Sequence, residues 1–264
     1  MDMADKGMFG LSGKVALVTA GGHGLGRVFC EVIAEYGADV VCADIDIGLA
    51  QETARLIKRF GNQAVAIQVD VSKPDQVETM VNRVIAEFST IDILFNNAGI
   101  PNRPVRIHEL SIEDWKHVVS VNLTGMFLCM RAVIPIMLEK KRGSIINTAS
   151  VAGLMAGSEE RSLANAAPYG ATKAAIIGLT RHAAVAYAKG GIRINAIAPG
   201  AHSTYPLAVP REEMDKIQDQ IAKFVPMGRV GNPSEIKGLA LYLASDASSY
   251  VTGQTFVHDG GFIA

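Results

Sequence analysis

The 264-residue sequence predicts an α/β fold, a doubly wound parallel sheet with helices on both faces. Three observations carry this. Short β-branched runs alternate with longer amphipathic stretches from one end to the other. The short runs are continuously apolar rather than alternating, the pattern of strands covered on both sides. A chain of this length with 49% apolar residues can also bury a core without disulfide or metal.

The elements follow in order. Residues 15–19 (VALVT) read as a strand, then 25–36 as a helix. Residues 39–43 (DVVCA) precede a helix over 48–60, and 64–69 (AVAIQV) precede one over 74–88. Ser72 is the expected N-cap of the latter, with Pro74 in its first turn. Residues 92–96 (DILFN) lead to a long helix over 112–138, with Ser111 as its cap. Residues 144–148 (SIINT) and 193–198 (RINAIA) bracket a helix over 169–189. A helix over 233–244 precedes the last apolar run, 255–257. No solenoid repeat or low-complexity linker interrupts the chain, so it reads as a single domain over 1–264. Only 151–168 and 200–226 lack a clear period. Both follow the carboxyl end of a strand, where such sheets bind ligands.

Composition narrows the function. Lys+Arg 25 against Asp+Glu 26 gives a net charge of −1, which offers no footprint for nucleic acid or an anionic membrane. Cys30, Cys42 and Cys129 sit in apolar stretches without a CxxC pair or a Cys/His cluster, so buried thiols and no metal site are expected. The first ten residues lack the apolar core of a signal peptide, and no stretch of about 18 uninterrupted apolar residues occurs. A cytoplasmic protein with a small-molecule substrate is the expectation.

After the first strand comes Thr19-Ala20-Gly21-Gly22-His23-Gly24-Leu25-Gly26, opening onto a helix. A helix amino terminus presents free N–H groups and a positive dipole end, which suit a pyrophosphate. Gly24 would let the backbone approach the phosphates, and Gly26 would let the helix pack on the sheet. The order is GxxGxG, and alone it could be a plain glycine-rich connection. Asp44, 20 residues past Gly24, closes the second strand where a carboxylate can accept from both ribose hydroxyls and repel a 2′-phosphate. That favours NAD over NADP. Asp44 could instead cap a helix, and Asp46 lies nearby.

Tyr169 and Lys173 stand four residues apart, one turn apart on one helix face. A nearby cation favours phenolate and would make the tyrosine a usable acid–base group. Alone, this spacing also describes an ordinary surface pair.

Together with the other motifs, the sequence resembles the short-chain dehydrogenase/reductase family over residues 14–261. The turn Thr19–Gly26 is similar to TGxxxGxG, with Ala20 in place of its first glycine. Asn96-Asn97-Ala98-Gly99 is NNAG; Asn122 in VNLTG, Ser150 in NTASVAG and the Tyr169/Lys173 pair match the tetrad. NAIAPG (195–200) and YVTGQTFVHDGG (250–261) match the nicotinamide segment and the carboxyl-terminal signature. The resemblance implies a Rossmann-type fold and an NAD site built from Gly21, His23, Gly24, Leu25, Gly26, Asp44, Ile45, Asp70, Val71, Asn97, Ala98, Gly99, Tyr169, Lys173, Pro199, Gly200 and Thr204. It implies that Tyr169 exchanges the substrate proton and Ser150 orients the substrate oxygen. Lys173 would bind the nicotinamide ribose and depress the pKa of Tyr169, while Asn122 would hold a relay water. A homotetramer is also implied, through the helices over 112–138 and 169–189.

The sequence departs from the family in two places. Ala20 adds a methyl group near the adenosine, and 18 residues separate Ser150 from Tyr169, more than is usual. His23 stands where a small polar residue is common, free either to touch a phosphate or to lie exposed.

The expected activity is NAD-dependent hydride transfer between the nicotinamide and a secondary alcohol or ketone. The alternatives are a 3-oxoacyl-thioester reductase, which Asp44 disfavours, and a non-catalytic NAD-binding regulator, which has no use for Ser150 with Tyr169. A sugar epimerase or dehydratase would need a longer chain. The segments 100–107, 151–168 and 200–226 carry Arg103, Arg106, Arg161, His202 and Arg211 and few large aromatics. They would suit a small polar substrate, including a carboxylate or sulfonate, with Ser150, Arg103, Arg161 and His202 as contacts. The same arginines could be solvated loop charges.

Overall fold

A computed structural model of the chain describes residues 7–102, 105–156, 166–204 and 210–264. The strands are β1 (Val15–Thr19), β2 (Asp39–Asp44), β3 (Ala64–Gln68), β4 (Ile93–Asn96), β5 (Gly143–Thr148), β6 (Ile192–Pro199) and β7 (Thr255–His258). They form one parallel seven-stranded sheet in the order β3-β2-β1-β4-β5-β6-β7. The chain winds outward from β1 to β3, then crosses back to β4 beside β1 and winds the other way. The carboxyl ends of β1 and β4 therefore diverge at a crevice, where doubly wound sheets bind ligands.

The helices are α1 (Gly24–Glu35), α2 (Ile47–Ile57), α3 (Pro74–Phe88), α4 (Ile112–Val119), α5 (Gly125–Lys140), α6 (Ala167–Tyr187), α7 (Arg211–Ala222) and α8 (Lys237–Ala244). Two apolar cores lie against the sheet. One joins α3, α5 and α6, and the other joins α1, α2 and α8. β1, β4 and β5 are buried at every position, as strands covered by helices on both faces must be. Phe29 of α1 stacks on Phe95 of β4 at 4.8 Å between ring centroids, fixing the helix behind the crevice.

Four local expectations are corrected. Ser72 does not cap α3: Lys73 holds that position, and the Ser72 hydroxyl donates to Asp70 instead. The helix expected over 112–138 is continuous but contains a π-helical turn, Ser120–Thr124, between α4 and α5. The segment 200–226 contains α7, REEMDKIQDQIA, which buries Gln218 and carries Met214, Ile217 and Ile221 as a narrow stripe on an otherwise polar helix. The expected helix over 233–244 opens with a 3₁₀ turn, Pro233–Ile236, before α8. Ser111 caps α4 as expected, accepting from the Asp114 N–H at 3.0 Å.

The helical run Ile112–Lys140 is long and apolar enough to cross a membrane by length and composition. Half of its most apolar window is buried in the protein, where α5 supplies much of one core.

Candidate active site

The glycine turn between β1 and α1 is shaped by contact. A Cβ at position 26 would lie 1.9 Å from the Ala20 carbonyl oxygen and 2.8 Å from Asn97 Nδ2, so only glycine allows α1 to start there. Gly24 has φ +55°, and a Cβ there would meet only Thr204, at 3.8 Å. The turn thus leaves open space above a helix amino terminus, faced by the threonine of the segment after β6. That space suits a pyrophosphate. Ala20 also takes a left-handed backbone, φ +50°, which accounts for a glycine at this place in the family pattern. His23 is the exposed N-cap of α1 and makes no side-chain cap bond; Gly21 is buried beside it and Leu25 is half-buried.

Asp44 ends β2 almost fully buried. Its Oδ2 accepts from the Gly22 N–H at 2.9 Å and its Oδ1 from the Asp46 N–H at 3.0 Å. Asp46, not Asp44, caps α2, accepting from Gly48 and Leu49. With about four lone-pair sites, the Asp44 carboxylate keeps acceptor capacity beside the glycine turn. Ile45 follows, exposed. At the end of β3, one Asp70 oxygen is turned onto Ser72, and Val71 is buried where a Cβ on Gly125 would strike it.

The ends of β1, β4 and β5 are tied by hydroxyls the sequence reading did not single out. Thr19 Oγ1 accepts from both the Asn97 and Ala98 N–H groups, at 2.9 and 3.0 Å. The Asn97 side chain donates to the Thr19 carbonyl at 3.2 Å and accepts from Thr148 Oγ1 at 3.2 Å. Asn97 and Ala98 thus spend these groups on the scaffold. Gly99 is exposed, and a Cβ there would sit 3.4 Å from both Asn122 Oδ1 and Lys173 Nζ.

All four members of the expected tetrad gather at this edge. Ser150, just past β5, shares a hydrogen bond with the Tyr169 phenol. Its hydroxyl oxygen accepts from the Ala152 N–H at 3.2 Å, leaving its proton to give. Lys173 is buried one turn along α6, with Nζ 5.5 Å from the centroid of the Tyr169 ring. Asn122 lies in the π-helical turn, and its side chain grips Ile100 on both sides, accepting from its N–H at 2.7 Å and donating to its carbonyl at 2.9 Å. Single π turns recur at functional sites because they re-aim one residue.

The electrostatics differ from expectation in one respect. Lys173 was expected to depress the Tyr169 pKa. Burial instead pushes the phenol above its usual range, and the hydrogen bond from Ser150 offsets this only in part. The ammonium is drawn to the Thr148 carbonyl at 2.7 Å, and burial lowers its own pKa to about 8. The phenol is therefore held protonated.

Of the expected substrate contacts, Ser150 and His202 fall among the described residues. Arg103 and Arg161 lie outside the described residues. His202 is buried and turned away: its Nδ1 faces the Gly200 carbonyl and its Nε2 faces His258 Nδ1, both at 3.0 Å. Arg211 is exposed at the start of α7, and Arg106 is exposed along a cavity of about 850 Å³ with Ile107, His108 and the first turns of α6. Val151, which follows Ser150, is buried in a small apolar cluster with Val225 and Phe262, against which Met155, Ile221 and Phe224 pack. Pro199 is buried at the end of β6, and the Gly200 N–H donates to the His258 carbonyl at 3.0 Å. Among the described residues, no three His, Cys, Asp or Glu side chains are placed to hold a metal.

Known proteins are similar to this chain along nearly their whole length. The family model described as Enoyl-(Acyl carrier protein) reductase matches residues 19–263. A cyclohexanol dehydrogenase of Acinetobacter sp. is 37% identical over 249 residues, 94% of each chain. A 3-oxoacyl-(acyl-carrier-protein) reductase of Synechocystis sp. is 38% identical over 259 residues, 97% of this chain and 99% of that one. The crystal structure of an NAD⁺-bound xylitol dehydrogenase superposes with a TM-score of 0.85 at 31% identity, covering 94% of this chain and 98% of the other. With full-length matches of this closeness, the chain belongs to the short-chain dehydrogenase/reductase family of oxidoreductases.

Proposed function

We propose that the protein is an NAD-dependent dehydrogenase that interconverts a compact secondary alcohol and its ketone. The observation that carries this is the Ser150–Tyr169 hydrogen bond with Lys173 one turn away, at the edge where the glycine turn opens. The nicotinamide, when bound, takes or gives the hydride. Tyr169 moves the proton at the substrate oxygen, and Ser150 turns its hydroxyl from the phenol to that oxygen to orient it. Lys173 lies where it can hold the ribose hydroxyls, beside Gly99. Asn122 fixes the segment after β4 and would keep the relay water. Gly21, Gly24, Leu25 and Thr204 would take the pyrophosphate, with His23 at the rim. Asp44 and Ile45 would take the adenosine ribose, Asp70 and Val71 the adenine, and Pro199 and Gly200 the nicotinamide.

The buried Asp44 carboxylate supports NAD, because a 2′-phosphate beside it would meet an anion already held in place by two backbone N–H groups. A phenol held protonated suits proton donation to a ketone, so reduction should be favoured at neutral pH and alcohol oxidation should rise as the solution becomes alkaline. The cyclohexanol dehydrogenase relative supports an alcohol with a compact apolar body. The exposed Arg106 leaves room for a polar or anionic end.

The test is a panel of cyclic alcohols, polyols, hydroxy acids and 3-oxoacyl thioesters, each assayed with both cofactors. NAD should give the higher kcat/KM, and Asp44→Ala should shrink its lead. Tyr169→Phe should lower kcat by at least about 10²-fold with NAD affinity kept. A preference for NADPH with a 3-oxoacyl thioester would replace this reading by the reductase one, and a Tyr169→Phe variant at parental activity would overturn it.

Assembly and location form part of the same proposal. Ile112, Trp115, Phe127 and Leu138 on the long helical run and Val185 on α6 are exposed apolar residues, a pattern that suits packing against further copies in a homotetramer. A 28.0 kDa species by light scattering would refute it. Three buried free cysteines suit the reducing cytoplasm. One catalytic and cofactor-binding domain over 1–264 completes the reading.

A further inference from the structure

We infer that Asn102 is a positioning residue for the catalytic tyrosine, capping α6 from a loop 67 residues away in the sequence. The inference rests on the role proposed above for Tyr169.

Helix α6 begins without a cap of its own. Ala166 holds the N-cap position and makes no side-chain cap bond, and an alanine side chain has no acceptor to offer. The first intrahelical bond runs from the Gly170 N–H to the Ala166 carbonyl, so the N–H groups before it need outside partners. Pro168 has none to satisfy. Tyr169 does, and its N–H donates to Asn102 Oδ1 at 3.3 Å.

That bond closes a ring of contacts around the tyrosine backbone. Asn122 holds Ile100 by both its N–H and its carbonyl, and Asn102 lies two residues further on. On the other side, the Asn122 amide donates to Thr172 Oγ1 at 3.3 Å, and the Thr172 hydroxyl donates to the Tyr169 carbonyl at 2.8 Å. Both backbone polar groups of Tyr169 are thus held by side chains that trace back to Asn122. The phenol stands on the first turn of a helix, which frays most easily. Fixing that turn fixes the proton-transfer distance, to which rate is steeply sensitive.

An amide suits this place better than a carboxylate. It accepts the N–H bond without adding an anion that would disfavour phenolate. Asn102→Asp therefore separates capping from charge, and Asn102→Ala removes the acceptor.

The experiment measures kcat, KM, the pH profile of alcohol oxidation, NAD affinity and Tm for both variants beside Tyr169→Phe. Asn102→Ala should lower kcat about fivefold with NAD affinity kept, while Tm falls by only about 2 °C, the size of a lost cap interaction in a chain of this length. Asn102→Asp should recover most of the plateau rate while moving the alkaline rise to higher pH. Parental kcat and pH profile in Asn102→Ala would overturn the inference. So would a loss that tracks Tm and is not recovered by Asn102→Asp. If Tyr169→Phe alone keeps full activity, the proposed role of the tyrosine fails, and that outcome is read independently of Asn102.

Discussion

The Lys173 ammonium donates a 2.7 Å hydrogen bond to the carbonyl of Thr148, the last residue of β5. The lysine is thereby held inside the fold, and burial lowers its pKa to about 8. At pH 7 the group stays protonated in both states, so the folded chain carries a desolvation cost on the order of 3 kcal/mol. Because the folded pKa is depressed, the stability linked to this group is present above the unfolded value of about 10.4 and is lost as pH falls toward 8.

Lys173→Met should therefore stabilise the cofactor-free protein while abolishing turnover. Its gain is offset by leaving the Thr148 carbonyl without a donor, a loss of about 1–3 kcal/mol. A net rise of about 1 kcal/mol in denaturant unfolding at pH 7 is expected, with a flatter stability profile between pH 8 and 10. Marked destabilisation at pH 7 would show that the lysine is a net structural asset.

Ala20 offers a second stability test. Its φ of +50° costs an L-residue about 1–2 kcal/mol relative to right-handed backbone, whereas glycine takes it freely. Glycine gives back about 0.5–1 kcal/mol through its freer unfolded chain. Ala20→Gly should then raise unfolding free energy by about 0.5–1 kcal/mol, seen as a Tm increase of about 2–3 °C. NAD affinity should hold or improve, since the turn keeps its shape. A lower Tm would mean that the methyl group contributes packing that outweighs the strain.

Much of this could be read from the sequence because its cause is local. Continuous apolar runs such as 15–18 and 40–43 are buried on both faces, and so reveal a parallel sheet before any coordinate is known. Gly26 and Asp44 occupy places fixed by strand ends and a helix start, which spacing alone locates. Other features arise only when distant segments meet. Nothing near Asn102 marks it as a cap for a helix beginning at Ala167, and Ala166 gives no hint that its helix is capped elsewhere. His202 and His258 lie 56 residues apart, so reading either singly misses their contact. The helix α7 carries a narrow apolar stripe of Met214, Ile217 and Ile221, which the charged and amide residues around it outweigh. The π-helical turn at Asn122 adds one residue to a helix without altering its composition.

The histidine pair predicts how stability responds to acid. His202 Nδ1 faces the Gly200 carbonyl at 3.0 Å, which can only accept, so that nitrogen carries the proton. In the neutral ring Nε2 is then an acceptor, and His258 Nδ1 must donate to it across 3.0 Å. A second proton on His202 would make its Nε2 a donor and require His258 to move its own proton from Nδ1 to Nε2. Burial is the largest influence and lowers the His202 pKa, the Gly200 carbonyl opposes it, His258 lowers it further, and Glu235 pulls the other way. Glu235 shares the surrounding cleft with Arg229 and Asp259, and the Arg229 guanidinium holds its carboxyl down at about 2, so it does not titrate near neutrality. A base with a depressed folded pKa contributes stability above its unfolded value of about 6.5 and loses it as pH falls. Unfolding free energy should thus decline between pH 7 and 5 in the parent and decline less in His202→Asn, whose amide can still donate to Gly200. Urea titrations at half-unit pH steps would measure both slopes. Equal slopes would show that His202 takes up its proton as readily in the folded chain as in the unfolded one, and that the pair is not held in the neutral form by its surroundings.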